Sequence, residues 1–313
     1  MHLIVAFAAP LGEAARAALP TLVTPALDRL LGTWSEVRRD SGDEDTLSMP
    51  HERALAGALG WTAADGCLPW AARQAAADGI AVGNQTWGLL TPAHWRVGSD
   101  GVHLADPDAL ALTEAPSREL CAALRPLFEG EGITLAWGAP LRWYAAHASL
   151  QGLACASPER VAGRNLHAWL PRQAAAKGFR RLQNEAQMLL HGHALNEARE
   201  AAGALPVNSF WLSGCGAALP EPANDAQLDQ RLRGPALRGD GGAWCEAWRT
   251  LDEQTIAPLI DAAARGQPLR LTLCGERSAV ELAPRSPTWW QRMIGRVAPA
   301  PPRTRTRTLL ESL

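Results

Sequence analysis

The chain has 313 residues, of which 47% are hydrophobic, enough to bury a sizeable core as one large or two ordinary domains. Lys and Arg (30) nearly balance Asp and Glu (32), so no global field draws the protein to nucleic acid or to an anionic membrane. No apolar run reaches the roughly 20 residues of a membrane helix, and the 6 cysteines include no C-x-x-C pair, as expected of reduced, buried thiols; a cytoplasmic location is expected.

In chain order, an apolar strand is expected over 3–7, which lacks a basic leader and is read as a strand rather than a signal peptide. Helices follow over 13–18 and 25–31, then an exposed acidic loop over 39–45 (RDSGDED) and a helix over 51–59 that opens with His51, Glu52 and Arg53. Strands are expected over 87–90 and 133–137, with antiparallel edges over 102–104 and 141–144 and helices over 117–128 and 161–170. The strongest helical period covers 177–191, where Phe179, Leu182, Ala186 and Leu189 recur on one face and Arg181 can pair with Glu185. A helix over 194–202, a strand over 207–212, a loop-rich excursion over 217–240, a helix over 244–264 and a strand over 269–273 complete the domain, taken as 1–296. The remainder, 297–313, carries APAPPRTRTR with no apolar face and is expected to be a disordered basic tail. Near-continuous apolar strands alternating with helices predict an α/β fold, a mainly parallel central sheet covered on both faces. The 13 tryptophans, against 1 tyrosine and 4 phenylalanines, are read as core and domain-edge packing.

Several catalytic signatures are missing: no phosphate loop followed by Lys, no G-x-G-x-x-G, no H-E-x-x-H and no G-x-S-x-G. Cys215, between two glycines, is read as a structural thiol, and His191 and His193 diverge at a helix end and make a poor metal pair. Arg142 and His147 follow an expected strand and make a candidate pocket wall. The stretch 191–216 gathers His191, Asn196, Arg199, Asn208, Ser209, Trp211, Gly214 and Gly216 around a helix, a turn, a strand and a Gly-rich exit. Asn, Arg and free backbone N–H groups at a strand end can hold a phosphate or carboxylate.

At these residues the chain resembles archaeal-type cofactor-independent phosphoglycerate mutase, with a weaker echo of the alkaline phosphatase superfamily in TPALDRLL at 24–31. Over almost its whole length, through GDEDTLSMPHERALAGALG, LRWYAAHASL, RRLQNEAQMLL and LPVNSFWLSGCG, it resembles the bacterial RpfE-type regulatory family. The resemblance implies a phosphoglycerate-mutase-like fold whose enzymes hold two divalent metals on Asp and His, one Asp just after the first strand and an Asp-His pair after a late one. Here the corresponding places read Phe7, Ala8, Ala9, Pro10 and Cys274, Gly275, Glu276, Arg277. The expectation is therefore a regulatory pseudoenzyme without metal or cofactor, binding a small phosphorylated or carboxylate ligand or a protein partner. The alternative is a divergent phosphoglycerate mutase or phosphohydrolase. A third reading, nucleic-acid contact through the basic tail, is opposed by the near-neutral charge.

Overall fold

In the computed structural model, which describes residues 1–9, 12–222, 225–285 and 302–313, the strands form two main sheets and one short hairpin. The chain begins with β1 (His2–Val5), α1 (Glu13–Ala18), α2 (Pro25–Thr33), β2 (Trp34–Ser41) and α3 (Pro50–Ala58). It continues through α4 (Trp70–Ala77), β3 (Thr86–Ala93), β4 (Trp95–Gly98), β5 (Gly101–Leu104), α5 (Glu114–Glu129), β6 (Thr134–Ala139) and β7 (Arg142–Ala146). Next come α6 (Pro158–Val161), α7 (Lys177–His191), α8 (Ala194–Ala201) and β8 (Ser209–Ala217). The last elements are β9 (Ala226–Asp229), α9 (Arg233–Leu237), α10 (Gly241–Leu251), α11 (Ala257–Ala264), β10 (Arg270–Cys274), β11 (Ser278–Pro284) and α12 (Pro302–Glu311). These residues gather into two compact units: Met1–Asp45 with Met49–Gly60 and Pro222–Leu313, and Thr46–Ser48 with Trp61–Glu221. No composition break marks this grouping, and the sequence reading takes 1–296 as one domain.

The first unit is built on a five-stranded sheet in the order β2-β11-β10-β1-β9. β1 runs parallel to β9 and β10, while β11 is antiparallel to both β10 and β2. Side chains alternate between faces along a strand. Leu3, Val5, Leu271, Leu273, Val280 and Leu282 therefore face a core shared with Leu27, Leu30, Trp244, Trp248 and Leu259. Ile4, Cys274 and Ala279 face the other way, onto Ala54, Leu55 and Ala58 of α3. The helix expected over 244–264 is interrupted by a π-helical turn, Asp252–Ile256. There the buried Asp252 carboxylate accepts from the N–H groups of Ala26 (2.9 Å) and Leu27 (2.8 Å), satisfying the first turn of α2. Burial raises its pKa, against the lowering effect of those two hydrogen bonds.

The second unit has a wholly antiparallel sheet, β6-β7-β3-β8. One face packs Leu90, Trp143, Phe210 and Leu212 against Leu120, Leu124 and Phe128 of α5 and Phe179, Leu182, Ala186 and Leu190 of α7. The other face carries α4 through Ala71, Ala72 and Ala75, packed on Trp87 and Tyr144.

Three expectations are corrected. The sheets are mixed and antiparallel rather than mainly parallel, because short connections, such as Gly275 to Arg277 between β10 and β11, can only reverse the chain. The excursion expected over 217–240 contains β9, paired with β1, and α9, with residues 223–224 outside the described residues. Of the tail expected to be disordered, 297–301 lie outside the described residues, and 302–311 form α12. Tertiary contacts hold this helix: Leu310 is 1% exposed in the core, Thr306 Oγ1 donates to Asp28 at 2.5 Å, and the Leu313 carbonyl accepts from Ser278 N at 3.0 Å.

Candidate functional site

Past β1, where the resemblance would place a metal ligand, aromatic rings fill the space. β1 runs out at Phe7, a fully buried residue with φ +56, in the left-handed region. Trp244 and Trp248 donate their indole N–H groups to the carbonyls of Phe7 and Ala8, each at 3.1 Å, and the Phe7 ring packs on His51 at 5.4 Å. At the last residue of β10, burial pushes the Cys274 thiol well above its ordinary pKa. Among the described residues, no three His, Cys, Asp or Glu stand close enough to share a metal ion.

The ten residues singled out from the sequence do not converge. Asn196 is buried, donating to the carbonyls of Leu190 and Val207 at 2.8 Å and accepting from Val207 N at 2.9 Å, so it ties α7 to the entry of β8. Arg199 donates to the carbonyls of Leu205 and Leu110, and burial lowers its pKa. Trp211 donates to the Ala156 carbonyl at 2.8 Å, and Ser209 is buried in β8 with no hydrogen-bond partner for its hydroxyl among the described residues. Gly214 and Gly216 lie inside β8 rather than in an exit loop. At Gly214 (φ +62) a Cβ would stand 2.9 Å from Ala71 N, and at Gly216 one would stand 2.8 Å from Pro69 Cβ, so the glycines admit α4.

Arg142 is held by Asp78 through Nε (2.9 Å) and NH2 (2.7 Å), and the Tyr144 hydroxyl donates to the same carboxylate at 2.6 Å. The Arg142 bonds hold Asp78 below the usual carboxylate range, while burial and the Asp78 contact raise Tyr144. His147 turns its Nδ1 to Ser149 instead of to Arg142. Cys215 is buried with its Sγ 3.7 Å from that of Cys155, and this contact together with burial raises its pKa, which suits an inert thiol.

Two of the ten, His191 and Asn208, line a groove of about 650 Å³ in the second unit. One wall is a single stripe of α7: Arg180, Gln183, Asn184, Gln187, Met188 and His191, spaced by three and four residues. The opposite wall is Trp95, Val97 and Val102 of the β4–β5 hairpin, with Leu166, His167 and Leu170 completing the lining. Val97 and Met188 are 81% and 80% exposed, large apolar side chains left in water on either side. Every ionisable residue in the lining, Arg180, His167 and His191, is basic. Trp95 has a buried indole nitrogen with no partner among the described residues, a donor whose desolvation costs about 1–3 kcal/mol. Trp70 shares this state, whereas Trp61 and Trp87 donate to carbonyls, and Trp137 and Trp143 share Ser117 Oγ at 2.9 Å. Sequence reasoning missed Trp95, Val97, His167, Arg180 and Met188. The usable signals are Met188, an apolar residue on the polar face of an amphipathic helix, and Val97, next to a Gly-Ser-Asp-Gly turn.

A larger depression of about 780 Å³ in the first unit is lined by Arg53 and Asp40, Arg270 and Glu281, and His2 and Thr272. These polar groups already pair with one another across its wall. The groove of the second unit, basic without a balancing acid, is the better candidate.

No protein-family profile matches the chain, and no curated protein matches it. Among solved structures it is similar to the cofactor-independent phosphoglycerate mutase from Thermoplasma acidophilum DSM 1728, at 14% identity over 91% of this chain and 89% of that one, with a TM-score of 0.38. It is also similar to the PH0037 protein from Pyrococcus horikoshii, at 12% identity over 90% and 87% of the two chains, with a TM-score of 0.42. The likeness to phosphoglycerate mutase is distant. No helix among the described residues is long and apolar enough to cross a membrane.

Proposed function

We propose that this protein is a regulatory binding protein built on a phosphoglycerate-mutase-like plan, which receives anionic groups in the groove between α7 and the β4–β5 hairpin and performs no metal-dependent phosphoryl transfer. The observation that carries the reading is the lining of that groove: Arg180, His167 and His191 with amide side chains beside them, and neither Asp nor Glu. A carboxylate or phosphate there gains charge-assisted hydrogen bonds with no like charge to oppose it. The ring-filled space at Phe7 supports the non-catalytic half, since the sequence from Ala6 to Gly12 offers neither Asp nor Glu. The sequence resemblance to the RpfE-type family supports the regulatory half.

Inorganic phosphate and 3-phosphoglycerate, titrated separately against the full chain, are expected to quench Trp95-dependent fluorescence. Arg180→Ala and His191→Ala should each weaken binding by roughly tenfold, the scale of one charge-assisted hydrogen bond. Phosphoglycerate interconversion or phosphate release, measured with manganese and zinc supplied, should stay at background. Turnover in that assay would establish the divergent-enzyme alternative, and binding insensitive to both substitutions would remove the groove from the reading.

A further inference from the structure

The β4–β5 hairpin closes on Ser99 and Asp100, with Gly98 opposite Gly101, Val97 opposite Val102, Arg96 opposite His103 and Trp95 opposite Leu104. In an antiparallel pair, every second residue of an edge strand turns its N–H and C=O away from its partner. Two contacts fix that parity for β4. The carbonyl of His94 accepts from Ala105 N at 3.0 Å, on the β5 side. One residue on, Trp95 N–H donates to Asn208 Oδ1 at 2.7 Å and the Trp95 carbonyl accepts from Asn208 Nδ2 at 2.9 Å, on the outer side. The Asn208 amide thus bonds β4 as one residue of a third strand would. The next outward-facing residue is Val97, whose N–H and C=O have no partner among the described residues. Asn208 and Val97 both line the groove, so this open edge faces it.

We propose that the groove's occupant is an extended, acidic segment of a partner protein, which adds to β4 as a third strand and takes up at Val97 the pairing that Asn208 begins at Trp95. The proposal rests on the reading of the groove as a site for anionic groups. Backbone bonds to Val97 supply attachment whatever the segment's sequence, and alternate side chains then supply selectivity. Charge selects acidic side chains, because Arg180, His167 and His191 face no acid in the lining.

The test uses the full-length protein and, as probe, a displayed pool of random heptapeptides, with Val97→Pro as the counter-selecting variant. Proline removes an N–H that points away from β5, so the hairpin keeps its own bonds, and edge strands tolerate proline at such positions. Retained peptides are expected to be rich in Asp and Glu and to bind the parent protein about tenfold more tightly than the variant, equivalent to ~1.4 kcal/mol. N-methylation of successive peptide amides should weaken binding sharply at the one amide that meets the Val97 carbonyl, a readout that needs no variant. Equal affinity for both proteins, or methylation effects spread evenly along the peptide, would discard strand addition while phosphate titration still reports on the groove. No retained peptide with normal phosphate binding overturns this inference alone, and loss of both overturns the functional reading as well. Dimerisation of the parent but not of Val97→Pro would seat a second copy at the edge and overturn the partner assignment.

Discussion

Asp78 carries three hydrogen bonds on one carboxylate, two from Arg142 and one from Tyr144, and is a stabilising centre of the second unit. Its folded pKa lies below the ordinary value of 3.8, chiefly because of the Arg142 bonds, so its contribution is present above that value and is lost as pH falls through the folded pKa. Asp78→Asn is expected to cost about 1–3 kcal/mol in urea unfolding at neutral pH. The difference from the parent should shrink as pH drops below the ordinary carboxylate range, and a pH-independent difference would contradict the assignment. Arg142 is visible in the sequence as part of a strand-end cluster, but its partner lies 64 positions earlier and nothing local announces it. Asn196, Arg199 and Asn208 are legible as a polar run of unusual density. Their employment is not, because their partners are backbone carbonyls and amides that the sequence does not display.

Among the elements, those with an apolar face of their own are legible. The period of 177–191 matches α7 in both limits, and 13–18 matches α1. Elements whose order comes from neighbours are not. β2 is an edge strand with most of its residues exposed, so the sequence reading ends in a loop where the strand still pairs with β11. α12 offers only Leu309 and Leu310 as apolar anchors, after a run of Arg and Thr, with Leu313 just past its end. Its order comes from docking on the first unit's core, which intrinsic propensity does not report. Leu310→Ala should therefore destabilise the protein by about 2–4 kcal/mol in chemical denaturation; a change within experimental error would mean that the helix is not docked in solution.

At the level of the whole chain, both faces of the second unit's sheet are covered by helices from within the same unit. A fragment spanning 61–221 is thus expected to fold by itself, with a single cooperative thermal transition and native-like near-ultraviolet dichroism. A featureless melt would show that it depends on the rest of the chain. The sequence conveys the α/β class because strands and helices do alternate. It does not convey strand direction, since an apolar strand reads alike whichever way its neighbours run.

The pairing of β1 has a consequence in time. His2 bonds to Thr272, 270 positions away, and its strand neighbours are Ala226 to Asp229 on one side and Arg270 to Leu273 on the other. During synthesis at about 5–20 residues per second, this short apolar strand must wait on the order of ten seconds to a minute for either neighbour to emerge. Until then its edges are unmet, and the nascent chain carries an open invitation to a holding chaperone.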